Sequence, residues 1–526
     1  MADEALARGL EHPLLLNLSA LKLENNGRLE EALLRLRRAV EIAPRDVPAL
    51  NALGLCCNRL EQPERAIAQF DALLAIDPGF APAHANRASA LESLGLLEEA
   101  RLGHMRALKL QPENLVALAG LASIHSRRGQ HQEARQLAQA VLRLEPQYPD
   151  ASMSLAAAEL ADGDAVAAEN RMRELLDDPR PSPLERAQAM SMLGDALDEQ
   201  RKVGEAFQVY CAGNLQKQQL YASRFGAGTT TTDFVRQTIT VLDGLEHRRQ
   251  SAVGQASAAS GTAKEHVFLL GFPRSGTTLL EQVLASHASV ETLEERESLI
   301  DAAREFMRRP TDLATLCSAP EHQLQKHRNN YWQHVLAAGA HVSEKIFVDK
   351  HPLNTLKLPL IARLFPHAKI LFAVRDPRDV VLSCFRRRFR MNAPMYQFLT
   401  LAGAAALYDA AMQLAVCVGR KWPMRSHLVR HEALVGDFDD AVRAVCAFVG
   451  LDWTGTMREF AARVQDRSIS TPSGAQLAGG LKATGIGHWR RYRQQMETVM
   501  PLLIPWVEYF GYSPHLPTDE ASGATV

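Results

Sequence analysis

HVFLLGFPRSGTTLL, residues 266–280, is the stretch whose reading decides the fold. Val267–Leu270 is a short apolar run of the kind that forms a buried parallel strand. Gly271 breaks the run into a short loop, and Thr277–Ala285 reads as a helix. A strand, a glycine-bounded loop and a helix together make a phosphate cradle, in which loop amides and the helix N-terminus face an anion. The spacing Gly271-x4-Gly276 is that of a P-loop, but Thr277 and Thr278 stand where the usual loop has Lys and then Ser or Thr. The missing lysine argues for a phosphate-type ligand handled without the triphosphate apparatus.

Outward from this stretch, the bulk numbers set bounds. A chain of 526 residues is too long for one ordinary domain, and three or so units are expected. With 59 Lys and Arg against 60 Asp and Glu, no global field points to nucleic acid or a membrane surface. The run Arg386-Arg387-Arg388 beside Phe385 and Phe389 is one helix turn of charge and does not change that. The seven cysteines, adjacent only at Cys56 and Cys57, form no metal-ligand spacing and suit reduced thiols. The N-terminus is acidic and lacks a cationic leader, and no apolar run approaches the roughly 18 residues a membrane helix needs. A soluble, cytoplasmic protein that binds neither nucleic acid nor membrane is therefore expected.

Residues 13–220 repeat themselves at an interval of 34. Pro44, Pro78, Pro112 and Pro146 keep that step, as do Ala32, Ala66, Ala100, Ala134 and Ala168, with Gly95, Gly129 and Gly163 in register. The pattern resembles the tetratricopeptide repeat, a helix–turn–helix unit of that length. The small residues let paired helices approach closely, and each proline ends a second helix before the next begins. Four units are clear. A fifth slips by one residue near Pro179, and a sixth is marked by Leu193-Gly194 and Glu205-Ala206-Phe207-x2-Tyr210. Such a solenoid either offers a groove to a peptide or protein, or packs on a neighbour or a second copy of the chain as a homodimer. Asp233–Arg249 reads as a helix, and Gln250–Lys264, rich in Ser, Ala and Gly, as a flexible linker or surface loop.

The second half alternates strand candidates (Val267–Leu270, Ile346–Val348, Ile370–Val374, His427–Val429) with helical segments. The expected fold class is thus an all-α solenoid followed by a P-loop-like α/β domain with a parallel sheet. Ligands of such sheets sit beyond the carboxyl ends of the strands. The polar clusters lie there: Pro273–Thr278, Asp349-Lys350-His351-Pro352 and Arg375-Asp376-Pro377-Arg378-Asp379. The expected boundaries are 13–220 for the repeats, 221–264 for helix and linker, 265–515 for the α/β domain and 516–526 for a tail.

FPRSGTT (Phe272–Thr278) and VRDPRDVVLSCFRRRF (Val374–Phe389) resemble the two nucleotide signatures of the sulfotransferases that use 3′-phosphoadenylyl sulfate (PAPS). The intervening Asp349–Asp379 is similar to the bacterial branch in which repeats precede the transfer domain, itself similar to the tyrosylprotein sulfotransferases. The resemblance implies that Arg274, Ser275, Gly276, Thr277 and Thr278 cradle the 5′-phosphosulfate. It also implies that Arg375, Ser383 and Arg387 hold the 3′-phosphate, the part that distinguishes PAPS and its product adenosine 3′,5′-bisphosphate from ATP. A guanidinium fork suits a phosphate dianion.

Sulfuryl transfer resembles phosphoryl transfer, needing a base at the acceptor and a cation at the leaving oxygen, with no metal required by this family. Glu295, 21 residues after Arg274, matches the family's catalytic glutamate. Its acidic neighbours Glu291, Glu294 and Glu297 are expected to raise its pKa. The alternatives are that this stretch is an acidic, solvated helix start, or that Glu294 is the base. Lys350 matches the catalytic lysine, and Ser473, 16 residues before Trp489, a transition-state serine.

Departures bear on the acceptor and the cofactor grip. His488 stands where relatives carry Lys or Arg at the cofactor, His431 replaces a cofactor-holding tyrosine, and Glu297 replaces an arginine that touches peptide. Ala478–Gly480 is less basic than its counterparts. The implied acceptor is a hydroxyl, protein tyrosine among them, or an amine, on a protein, peptide, glycan or small molecule. Two other readings stand beside this one. In a P-loop kinase or NTPase, Asp349 would organise Mg²⁺. In a non-catalytic scaffold, the second domain would bind a nucleotide without turnover.

Overall fold

The computed structural model describes residues 2–245, 263–460 and 485–514. They form two compact units, one running through Gln200 and one beginning at Arg201.

The first unit is a series of antiparallel helix pairs: Pro13–Asn25 with Leu29–Ile42, Val47–Arg59 with Pro63–Ile76, Ala81–Ser93 with Leu97–Leu110, Leu115–Arg127 with His131–Leu144, and Pro149–Ala161 with Ala165–Asp177. Ala32, Ala66, Ala100, Ala134 and Ala168 are all fully buried, which explains their recurrence: a larger side chain would push the paired helices apart. Between the two helices of a pair the chain turns through the left-handed region at Gly27, Gly95, Gly129 and Gly163, where glycine carries no steric penalty. At the same register position the second pair has Glu61, held at φ 52°.

The second unit opens with a helix that the repeat spacing assigns to the solenoid, α1 (Val203–Phe225). Phe207 lies against Phe385 at 5.4 Å between ring centroids, and Asn214 Nδ2 donates to the Phe385 carbonyl at 2.9 Å. The sixth repeat unit thus straddles the division between the two compact units, which falls after Gln200. The helix expected at Asp233–Arg249 is present as Thr231–Gly244. Most of the linker stretch Gln250–Lys264, and the tail 516–526, lie outside the described residues.

Five parallel strands make the sheet: β1 (Glu265–Gly271), β2 (Val290–Glu294), β3 (Ile346–Lys350), β4 (Lys369–Val374) and β5 (Ser426–Arg430), in the order β2-β3-β1-β4-β5. Val267–Leu270 are completely buried, as a strand covered on both faces requires. From β1 the chain builds to one side through β2 and β3, then crosses to β4 and β5 on the other. The carboxyl ends of β1 and β4 therefore flank the switch point, where such sheets bind ligands. β2 was not among the expected strands. Its sequence, VETLE, has two glutamates, which strands disfavour, and as an edge strand it pairs only with β3.

Three helices position the site. α2 (Thr277–Ala285) follows β1, α3 (Pro377–Arg386) follows β4, and α4 (Leu401–Lys421) packs across α3. α4 corrects the expectation that no segment approaches membrane-span length. It is long and apolar enough by composition, but 67% of that stretch is buried inside the protein, and it serves as a core helix.

Candidate active site

The loop after β1 is held by backbone geometry. The Gly271 amide donates to Thr355 Oγ1 at 3.1 Å, while the Thr355 hydroxyl donates to the Gly271 carbonyl at 2.6 Å. Arg274 and Gly276 both take left-handed conformations, at φ 73° and 97°. Gly276 caps α2 without a side-chain hydrogen bond, so the first amides of that helix are left facing the loop. A Cβ on Gly276 would come within 2.7 Å of His431 Nδ1. The cradle is therefore closed on one side by that imidazole. Ser275, Thr277 and Thr278 are all buried around it.

Three arginines converge on the same place. Arg274 Nε donates to Ser383 Oγ at 3.1 Å, which ties the β1 loop to α3. Arg375, at the end of β4, donates to the Gly485 carbonyl. Its nearest acid, Asp379, is 3.8 Å away and spends its carboxylate on the amides of Gly487 at 2.6 Å and Trp489 at 2.8 Å. Asp376 is committed to Arg378, whose guanidinium stacks over Trp489 at 4.0 Å. Arg375 is thus not consumed by a tight ion pair with either neighbouring acid. Burial, with Arg387 and Arg375 adding repulsion, pushes the Arg274 guanidinium well below its ordinary pKa. Burial, then Arg375 and Arg274, likewise hold His431 neutral, near 3.

Several buried polar atoms here lack a hydrogen-bond partner: Ser275 Oγ, Arg375 Nε and His431 Nδ1. Converging guanidinium groups beside these orphaned polar atoms are what a polyanionic ligand would satisfy. The residues present fit a nucleotide bearing phosphate and sulfate groups.

Beyond the cradle, β2 and β3 bring acids onto one lysine. Lys350 is completely buried; its Nζ donates to Glu295 Oε1 at 3.0 Å and to Glu294 Oε1 at 3.2 Å. A third acid, Glu281 of α2, places Oε2 at 3.2 Å from the same Nζ. Glu295 sits just past β2 at φ 46°, its amide donating to the Lys350 carbonyl at 2.7 Å. Of the three carboxyls it is the most open, 37% exposed against 19% for Glu294 and 2% for Glu281.

The expected upward shift of Glu295 is not found. Burial works against its charge, but Lys350 and His351 together outweigh that and hold the carboxyl below its ordinary value. Nor is this segment a helix start; it is the end of a strand. Three acids and the embedded Lys350 make one charge-paired group, with Lys350 pushed up in turn.

Other expectations separate cleanly. Asp349 points to the opposite face of β3, accepting from Tyr331 OH at 2.8 Å in a fully buried setting, and so does not face the cradle as a Mg²⁺-organising aspartate would. Glu297 is engaged by His351 at 3.3 Å and by Lys357. His488 bonds the Arg386 guanidinium and stacks on Tyr492 at 5.8 Å, so its ring is committed there. Ser473 lies outside the described residues, as do Ala478–Gly480. Sequence reasoning missed Glu281, although a lone acid inside the apolar helix TTLLEQVLA was a signal that it had a buried partner.

A parallel α/β domain whose switch point carries a helix N-terminus and converging arginines has the charge and the backbone donors to take an anionic ligand. Comparison with known proteins narrows the class. The model described as "Sulfotransferase family" matches residues 266–455, and that described as "Tetratricopeptide repeat" matches 17–81, 59–114 and 119–183. The chain therefore joins tetratricopeptide repeats to a domain of the sulfotransferase family. An uncharacterized protein of Aquifex aeolicus (strain VF5) is 24% identical over 79% of this chain and 53% of its own length. Protein-tyrosine sulfotransferase 2 of Gallus gallus is 26% identical over 40% of this chain and 57% of its own length. The chain thus spans about half the length of these curated relatives. A solved tetratricopeptide repeat protein from Parabacteroides merdae ATCC 43184 matches at 17% identity over 39% of this chain and 78% of its own, with a TM-score of 0.33.

Proposed function

We propose that this protein transfers a sulfuryl group from PAPS to a hydroxyl or amine acceptor. The observation that carries the reading is the cluster of Arg274, Arg375 and Arg387, with Arg375 buried, set against the uncapped end of α2, next to the Glu295–Lys350 pair. When bound, PAPS supplies the sulfuryl group. The amides and hydroxyls of Ser275–Thr278, with Arg274, would hold its phosphosulfate, and Arg375, Ser383 and Arg387 its 3′-phosphate. The Arg274–Ser383 hydrogen bond couples the two subsites, so that filling one orders the other.

Glu295 is the residue placed to take the acceptor's proton, at its more exposed carboxyl. Because Lys350 keeps it ionised, it is available as a base at neutral pH and acts by position rather than by high basicity. Lys350, permanently charged, can present its ammonium to a developing negative charge. The acceptor side carries Glu297 engaged by His351 and Lys357, which suits a hydroxyl of a protein, peptide, glycan or small molecule, tyrosine included, without a strong demand for charge. The repeats belong to this reading as the part that holds an acceptor or partner protein or pairs two copies of the chain. A cytoplasmic location fits the described cysteines, all of which are free thiols.

Calorimetric titration with adenosine 3′,5′-bisphosphate against ATP plus Mg²⁺ tests the reading. Preference for the bisphosphate is expected; preference for ATP would overturn it in favour of a kinase or NTPase.

A further inference from the structure

Glu281 has no role in the chemistry described above, yet it is the acid held deepest in the site. It lies one turn after Thr277 on α2, so the helix that begins at the anion cradle also carries it. Its Oε2 stands 3.2 Å from Lys350 Nζ but off the line of a hydrogen bond, and that oxygen has no hydrogen-bond partner.

The charges do not balance. Three carboxyls surround one ammonium, and with all ionised these four groups alone would carry two excess negative charges. Glu294 and Glu295 reach solvent and both accept hydrogen bonds from Lys350. Glu281 is almost sealed from solvent, and its Oε2, though close to the ammonium, has no hydrogen-bond partner, so the charged form is disfavoured there. Among the described residues, the other elements packed most closely on α2 offer no relief. β1 ends there in Leu269-Leu270-Gly271, and the turn Gly455–Glu459 commits Arg458 to Asp439 and leaves Glu459 exposed. Burial is the leading influence on Glu281 and raises its pKa, ahead of the opposing pull of Lys350.

We propose that Glu281 is a positioning residue, the neutral acid of the cluster: it keeps its proton, leaves the negative charge to Glu294 and Glu295, and braces the Lys350 ammonium between α2 and β2. The brace fixes the distance between the anion cradle, at the start of α2, and the base, at the end of β2. Its proton is neither given to nor taken from a substrate. What Lys350 and Glu295 then do rests on the sulfotransferase reading; the protonation of Glu281 does not.

Infrared difference spectroscopy of the full chain, wild type minus Glu281→Gln, reads the proton directly. A protonated-carboxyl stretch present at neutral pH in the wild type and lost in the variant is expected; its absence from the wild type overturns the inference. Kinetics read the brace. Glu281→Ala is expected to lower kcat at least about tenfold with bisphosphate affinity within about twofold, because a displaced ammonium misplaces the base. Glu281→Gln, which keeps the shape of the neutral acid, should recover most of that loss, and it should lack the alkaline fall in rate that is expected of the wild type once Glu281 gives up its proton. Glu281→Gln falling as far as Glu281→Ala would show that the charge was needed, and overturn the proposal. If Glu281→Ala does not fold, the spectrum and the Glu281→Gln pH profile decide alone. A wild type that shows the band but transfers no sulfuryl group from PAPS refutes the functional reading and leaves the protonation standing.

Discussion

Replacing Lys350 by Met removes the ammonium and keeps the stem, stranding the carboxyls around it. Breaking a fully buried ion pair by deleting one partner costs about 3–5 kcal/mol. Glu294 and Glu295 are 19% and 37% exposed, so water takes up part of the loss, and about 2–3 kcal/mol is expected at pH 7. The sign with pH follows from Glu295, whose folded pKa is depressed. Its stabilising contribution is present above the ordinary carboxylate value and is lost as pH falls through the lower folded value. The Met variant has no such contribution to lose, so the gap between the two proteins should narrow as pH falls below the ordinary carboxylate value and on through the lower folded one. All five tryptophans lie in the second unit, at positions 332, 422, 453, 489 and 506, so urea denaturation followed by tryptophan fluorescence reports that unit alone. A gap under about 0.5 kcal/mol at pH 7, or one that does not change with pH, would refute the account of Lys350 as the neutralising centre of the cluster.

Arg375→Ala should weaken adenosine 3′,5′-bisphosphate binding by about 2–5 kcal/mol, the range for a guanidinium paired with a buried anion, and unchanged affinity by calorimetry would remove it from the phosphate site. Glu295→Gln should abolish sulfuryl transfer while leaving bisphosphate affinity within about twofold, and wild-type turnover in that variant would place the base elsewhere. Glu61→Gly should stabilise the repeat unit by about 0.5–1 kcal/mol, since glycine relieves the left-handed strain that Glu61 bears where the neighbouring repeats have glycine. Thermal melting followed by helix circular dichroism measures it, and a lower midpoint would contradict the strain.

What the sequence made legible was local. Gly271–Thr278 is contiguous, so its glycines and hydroxyls announced a cradle without help from the rest of the chain, and the repeat alanines kept a period that no packing was needed to reveal. β2 was hidden because an edge strand ending in acids lacks the apolar run that marked the other four. That omission carried into the chemistry: without the strand, Glu294 and Glu295 looked like mutually repelling acids, whereas strand pairing sets them against Lys350. Asp349 and Lys350 are neighbours in sequence, but the alternation of a strand sends one to Tyr331 and the other to the acids. Glu281 was visible only as an oddity, a lone charge on an apolar helix, because its partner is 69 residues further along the chain.

The helix α1 bears on how such proteins can be recombined. A repeat array whose members touch only their neighbours can in principle be lengthened, shortened or swapped as a cassette. Here the last helix with repeat spacing has become a wall of the second unit: Asn214 satisfies a carbonyl at the end of α3, and Tyr210 OH accepts from Arg386 at 3.0 Å. A chimera joined where the repeat pattern ends would leave the Phe385 carbonyl without its donor and Phe385 without its ring partner, next to the residues expected to grip the 3′-phosphate. The seam between the two units lies ahead of Arg201, so an exchange of arrays between relatives would have to carry α1 with the second unit and not with the repeats.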